Sequence, residues 1–101
     1  MTLTRDKILK VLREQSSYLA AEYGVKRIGL FGSYARNTPT ETSDIDIVVE
    51  FDHPIGFRFI ELTEYLEGLL GKKVDVLTPA GIEGIRLSGI SQNITDSIVY
   101  V

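Results

Sequence analysis

The chain contains no cysteine and a single histidine, His53, among 101 residues. That excludes disulfides, thiolate metal sites and a cysteine nucleophile, and it leaves no set of nitrogen and sulfur ligands for zinc. His53 sits in an Asp52-His53-Pro54 turn, where a surface position is expected. Long apolar runs are also absent, so no membrane-crossing helix is expected. The start, Met1-Thr2-Leu3-Thr4-Arg5-Asp6, lacks the apolar stretch of a signal peptide, and a cytoplasmic location is the expectation. Positive charge is sparse. The net charge is −3, and pairs such as Lys26-Arg27 and Lys72-Lys73 are scattered along the chain. A surface for long nucleic acid needs several cationic phosphate contacts on one face, so no direct nucleic-acid binding is expected. With 44% hydrophobic and 25% charged residues the composition is that of an ordinary globular protein. The length fits one domain over residues 1–101 with one core.

What is present divides into short helical and strand segments. Thr4 can cap a helix running to about Tyr23, with Asp6 in its first turn and Gly24 as its stop. Ile8, Val11, Leu12, Leu19 and Tyr23 keep a helical period, interrupted by a polar gap at Gln15 and Ser16. Arg27 to Phe31 reads as a buried strand ended by Gly32-Ser33, and Tyr34-Ala35-Arg36 starts a short helix. After a polar loop, Asp44 to Phe51 alternates. Ile45, Ile47, Val49 and Phe51 take one face, expected under helices; Asp44, Asp46, Val48 and Glu50 take the other, expected to be open. From about Phe57 to Leu70 an amphipathic helix is expected, with Phe59, Ile60, Leu62, Leu66, Leu69 and Leu70 apolar and Gly71 as its stop. Lys73 to Leu77 forms a strand with Asp75 opposite Val74 and Val76, and Thr78-Pro79-Ala80-Gly81 breaks it. Ile90 and Ile94 suggest a short helix, and Ile98 to Val101 a terminal strand.

The chemistry concentrates in Gly32-Ser33, Asp44-Ile45-Asp46 and Asp75. Carboxylates one residue apart on a strand project from the same side and repel each other unless a hard cation lies between them. A Gly-Ser turn opening a helix offers backbone donors and a hydroxyl to a phosphate. The bland readings are an ordinary turn, a charged strand face that discourages edge pairing, and one solvated strand position. Three carboxylates on open strand faces together with a phosphate-cradling turn favour a site for a magnesium-bound nucleoside triphosphate.

Phe31-Gly32-Ser33-Tyr34-Ala35-Arg36 followed by Ser43-Asp44-Ile45-Asp46-Ile47 resembles the minimal nucleotidyltransferase (MNT) family, within the superfamily that includes DNA polymerase beta. One departure is Asn37, where many relatives carry Gly; Asn tolerates left-handed backbone angles better than most residues. The resemblance implies an α/β (α+β) nucleotidyltransferase fold: a small mixed sheet of about three to four strands, helices on one face, an open catalytic face. It implies that Asp44 and Asp46 hold two Mg2+ ions around ATP, that Asp75 completes the ion on the acceptor side and can take the acceptor proton, and that Gly32, Ser33 and Arg36 bind the nucleotide. It also implies a partner, a HEPN-domain ribonuclease toxin encoded nearby, with this chain as the antitoxin that transfers AMP to a tyrosine hydroxyl. Two other readings remain open: an antitoxin that neutralises by binding alone, and the catalytic subunit of a small-molecule adenylyltransferase of the antibiotic-modifying type.

Overall fold

The structure, a computed structural model, describes residues 3–40, 42–86 and 98–101. Helix α1 spans Arg5–Tyr23, with the Thr4 hydroxyl accepting from the Lys7 amide at 3.3 Å and Gly24, at φ 69°, turning the chain left-handed at its end. The polar gap at Gln15 has a use: its side-chain oxygen accepts a hydrogen bond from the Tyr65 hydroxyl at 2.7 Å, tying α1 to a later helix. Strand β1 (Val25–Phe31) begins two residues before the expected Arg27. A register shift between Val25 and Arg27 leaves both Lys26 and Arg27 exposed, which hides the alternation in sequence.

The chain then makes one helical turn, α2 (Gly32–Ala35), and enters β2 (Ile45–Phe51), α3 (Arg58–Leu70), β3 (Val74–Leu77), α4 (Pro79–Arg86) and β4 (Val99–Tyr100). The mixed sheet has the order β3-β2-β1-β4. β1 pairs antiparallel with β2 and β4, and β2 pairs parallel with β3. This is the mixed α/β sheet that the family resemblance implied. Among the described residues no helix is long and apolar enough to cross a membrane.

One face of the sheet carries the main core. Ile8, Leu12 and Leu19 from α1, Leu30, Ile45, Ile47 and Val49 from the strands, and Leu62 and Leu66 from α3 are fully buried together. Burial on that scale contributes roughly 1.5–3 kcal/mol per large side chain. α3 starts at Arg58 with Phe57 as its N-cap, close to the expected start, but Ile60 is 61% exposed, because steps of about 100° align Phe59, Leu62, Leu66 and Leu70 and carry Ile60 to the flank.

The second face is only partly open. Val48 is buried against Phe31 and Ile82, making a small apolar cluster under α4. β3 ends at Leu77, where Thr78-Pro79-Ala80-Gly81 was expected to break it, and the same residues also start this helix, which was not expected. The Thr78 hydroxyl accepts from the Gly81 amide at 3.1 Å and its carbonyl from the Ile82 amide at 3.0 Å, while Pro79 suits the first turn. The expected helix around Ile90 and Ile94 lies outside the described residues. Of the expected terminal strand, Val99–Tyr100 pairs with β1, and the Val101 amide donates to the Ile28 carbonyl at 3.0 Å.

Candidate active site

Sheet register assembles the candidate residues. Antiparallel pairing sets Phe31 opposite Asp46, so the turn that follows Phe31 lies against the Asp46 side chain. Gly32 adopts φ 74°, and a Cβ built there would overlap the Asp46 carboxylate, lying 3.0 Å from its Cγ. Only glycine meets both demands at once. Ser33 follows, half-buried at the start of α2, where the first amides of a helix have no acceptor within it. Tyr34 and Ala35 are buried in the main core and anchor the turn from behind, so Tyr34 packs inside the fold. The Arg36 amide donates to the Gly32 carbonyl at 3.1 Å and the Thr38 amide to the Ser33 carbonyl at 2.9 Å. Asn37 takes the left-handed conformation, φ 62°, that glycine would take most easily.

Parallel pairing sets Asp46 directly beside Asp75. Neighbouring strands lie about 4.8 Å apart, so these two carboxylates share one patch of surface. Asp44 precedes β2, two residues before Asp46, and is exposed, as is Asp75; Asp46 is partly buried. The Asp44 loop is braced from within: the Thr40 amide donates to the Ser43 hydroxyl at 2.9 Å, and the Ser43 amide to the Thr40 carbonyl at 3.1 Å. Burial pushes the Asp46 carboxyl from 3.8 up to about 6, with Asp75 and then Asp44 adding to the rise and the Arg36 guanidinium opposing it. The other three charged groups therefore all act on the Asp46 carboxylate.

The donor set suits a hard divalent cation, since every candidate ligand is a carboxylate oxygen and their mutual repulsion would be relieved by positive charge. Among the described residues no trio of carboxylates or histidines already stands in the tight cluster of a ligated ion. Mg2+ commonly takes only one or two carboxylates and fills the remaining octahedral positions with phosphate oxygens and water. A cavity of about 960 Å3 lies elsewhere, lined by Leu3, Lys7, Val11, Tyr34 and Leu69 and by none of the three carboxylates. Asp44 and Asp75 are exposed, and Asp46 is partly buried between them.

Sequence reasoning missed the apolar floor next to Asp46. Val48 lies one alternation further along the same face and is buried by Phe31 and Ile82. Its signal was visible: Val48 is the one apolar residue in the series Asp44, Asp46, Val48, Glu50. His53 is exposed, as expected, but its ring also packs over Gly24, where a Cβ would come within 2.6 Å of the ring Cε1.

Comparison with known proteins agrees with this fold. The family described as the nucleotidyltransferase domain matches residues 5–101. The protein adenylyltransferase MntA of Thermococcus cleftensis is 41% identical over 100 residues, covering 98% of this chain and 97% of that one. A solved structure described as a candidate minimal nucleotidyltransferase superposes with a TM-score of 0.70 at 30% identity, covering 96% of this chain and 95% of the other. A chain of a toxin–antitoxin structure with AMP-PNP gives a TM-score of 0.64 at 27% identity, covering 97% of this chain and 72% of that one. With its Gly-Ser turn, paired strand carboxylates and mixed sheet, the chain belongs to the nucleotidyltransferase-domain family, in its minimal form.

Proposed function

We propose that this chain is an adenylyltransferase that moves AMP from ATP to a tyrosine hydroxyl of a partner HEPN-domain ribonuclease toxin, and thereby serves as its antitoxin. The observation that carries the reading is the row Gly32, Asp46, Asp75, set side by side by the two strand pairings. The adenylyltransferase activity of MntA in Thermococcus cleftensis and the toxin–antitoxin chain solved with AMP-PNP support it.

In this reading Asp44, Asp46 and Asp75 are the residues that would hold Mg2+. Bound there, the ions would offset charge on the entering and leaving oxygens of an in-line displacement. The turn amides at Gly32 and Ser33, the Ser33 hydroxyl and the Arg36 guanidinium hold the distal phosphates. The acceptor oxygen attacks the α-phosphorus, and its bond to AMP forms as the bond from that phosphorus to the α–β bridging oxygen breaks. Pyrophosphate leaves with the bridging oxygen, and the hydroxyl proton passes to Asp75. The open surface beside Asp46 supports an acceptor delivered by another protein.

Incubation with α-labelled ATP, Mg2+ and the product of the neighbouring gene tests this. Label should reach that product with the native chain and fall to background with the Asp44→Asn/Asp46→Asn double variant. A tight complex that still silences the toxin, with no label transferred, would overturn the catalytic reading in favour of occlusion.

A further inference from the structure

The solvent side of α3 carries features that the described residues of the fold do not use. Phe57 is 94% exposed and Ile60 is 61% exposed. Gly68 lies eleven residues beyond Phe57, about three helical turns, and so falls on the same side within about 20°. A side chain at Gly68 would meet nothing within 4 Å, and the left-handed stop of the helix is provided by Gly71. Among the described residues neither packing nor backbone conformation therefore asks for glycine there, although glycine weakens a helix relative to alanine. A glycine beside exposed aromatic and aliphatic side chains suits a surface that another backbone approaches closely.

Charge indicates what approaches. Glu61 and Glu64 are exposed on the same helix. Arg58, the sole Lys or Arg within Arg58–Leu70, is already engaged. Its guanidinium donates to the Glu22 carboxylate at 2.7 Å, the Glu22 carbonyl at 2.6 Å and the Glu61 carboxylate at 3.1 Å, and it lies over the Tyr23 ring at 4.8 Å. A cavity of about 460 Å3 opens at the same end, lined in part by Glu22, Asp52, Pro54 and Ile55. A second copy of this chain fits poorly, because a two-fold contact through this face would set Glu61 and Glu64 against their own equivalents. An anionic lipid surface is repelled for the same reason.

We propose that this side of α3 docks a cationic amphipathic helix of the partner toxin, an inference that rests on the function proposed above. Phe57 and Ile60 insert into the apolar stripe of that helix, Gly68 lets its backbone approach, and Glu61 and Glu64 meet its basic flank. The core residues of α3 pack on the face of the sheet opposite Asp46 and Asp75, so a helix seated on α3 leaves the carboxylates uncovered. Holding the toxin and modifying it are then separable.

The test is calorimetric titration of the purified neighbouring gene product into the native chain and its variants. Gly68→Leu introduces a better helix former into open space, so its melting temperature should be unchanged or raised while the Kd weakens at least 30-fold. Phe57→Ser and the Glu61→Lys/Glu64→Lys pair should weaken binding by comparable factors. Asp44→Asn/Asp46→Asn should bind like the native chain. Native affinity in both Gly68→Leu and Phe57→Ser overturns the docking surface and leaves the proposed function standing. A partner that does not bind the native chain overturns both. Sedimentation of the chain alone and with phosphatidylglycerol vesicles covers the other occupants: a dimer or vesicle complex abolished by Gly68→Leu would reassign the face and overturn the proposal.

Discussion

Strand β2 has two faces that obey opposite rules. Ile45, Ile47 and Val49 point under the helices and are fully buried. Asp46 and Glu50, on the other side, keep their carboxylates at the surface, with Val48 between them under α4. The first face is stable because water is excluded from it. The second gathers acidic side chains, and the Asp46 carboxyl is pushed up to about 6, first by its burial and then by Asp75 and Asp44. The contrast teaches how a chain this small keeps a strained site: one backbone carries both sets, so the packed side holds the charged side in place.

The largest expected effect breaks the packed side. Ile47→Asp puts an unpaired charge at a position with no exposure and should cost about 4 kcal/mol or more, much of the stability of a small domain. Urea unfolding reads this directly, and a cooperative, near-native midpoint would show that the helix-covered face is not dry.

Gly32→Ala strikes the junction between the faces. A methyl group at φ 74° against the Asp46 carboxylate should destabilise by roughly 2 kcal/mol and displace Asp46, so AMP transfer should fall with it. Full transfer activity in a folded Gly32→Ala protein would mean that the turn and the carboxylate do not cooperate.

Asp46→Asn sharpens the comparison through its sign, since it should raise stability in EDTA while abolishing transfer. Between about pH 4 and 6 the folded protein holds a proton on Asp46 that the unfolded chain has released, so this group's contribution falls as pH rises through 6. Complete conversion of the shift would give about 3 kcal/mol. Screening at a half-exposed carboxylate reduces that to about 1 kcal/mol, or roughly 4–8 °C in melting temperature. The difference between native and variant melting curves should therefore be small at pH 4 and open by pH 7. A difference that stays constant across that range would contradict the raised Asp46 carboxyl.

Asn37→Ala is the mildest change. Alanine at φ 62° should lose about 1 kcal/mol, whereas Asn37→Gly should stay within about 0.5 kcal/mol of the native protein. Equal stability of the two would remove the left-handed turn from the account of the phosphate loop.

Most of the fold was legible because its signals are local. Thr4, Gly24 and Gly71 act at the helix ends where they were expected, and the alternation of β2 predicted which side is buried. Local signals failed where a distant contact overrode them. The bulge at Val25/Arg27 obscured the start of β1, and Thr78 with Pro79, correctly read as the end of β3, gave no sign of capping a helix whose Ile82 reaches back to Val48. Ile60 counted as apolar and therefore internal, yet the direction in which α3 faces the sheet leaves it in solvent.

By itself the sequence determined which residue types occur at which local spacing: a glycine and serine at a turn, carboxylates at alternate strand positions, and glycines where helices end. Only the tertiary structure decided that Phe31 lies beside Asp46 and Asp46 beside Asp75. The reason is physical. Alternation and capping depend on a few consecutive residues, but strand register depends on contacts between residues far apart in the chain, and a slip of one residue would turn every side chain to the other face.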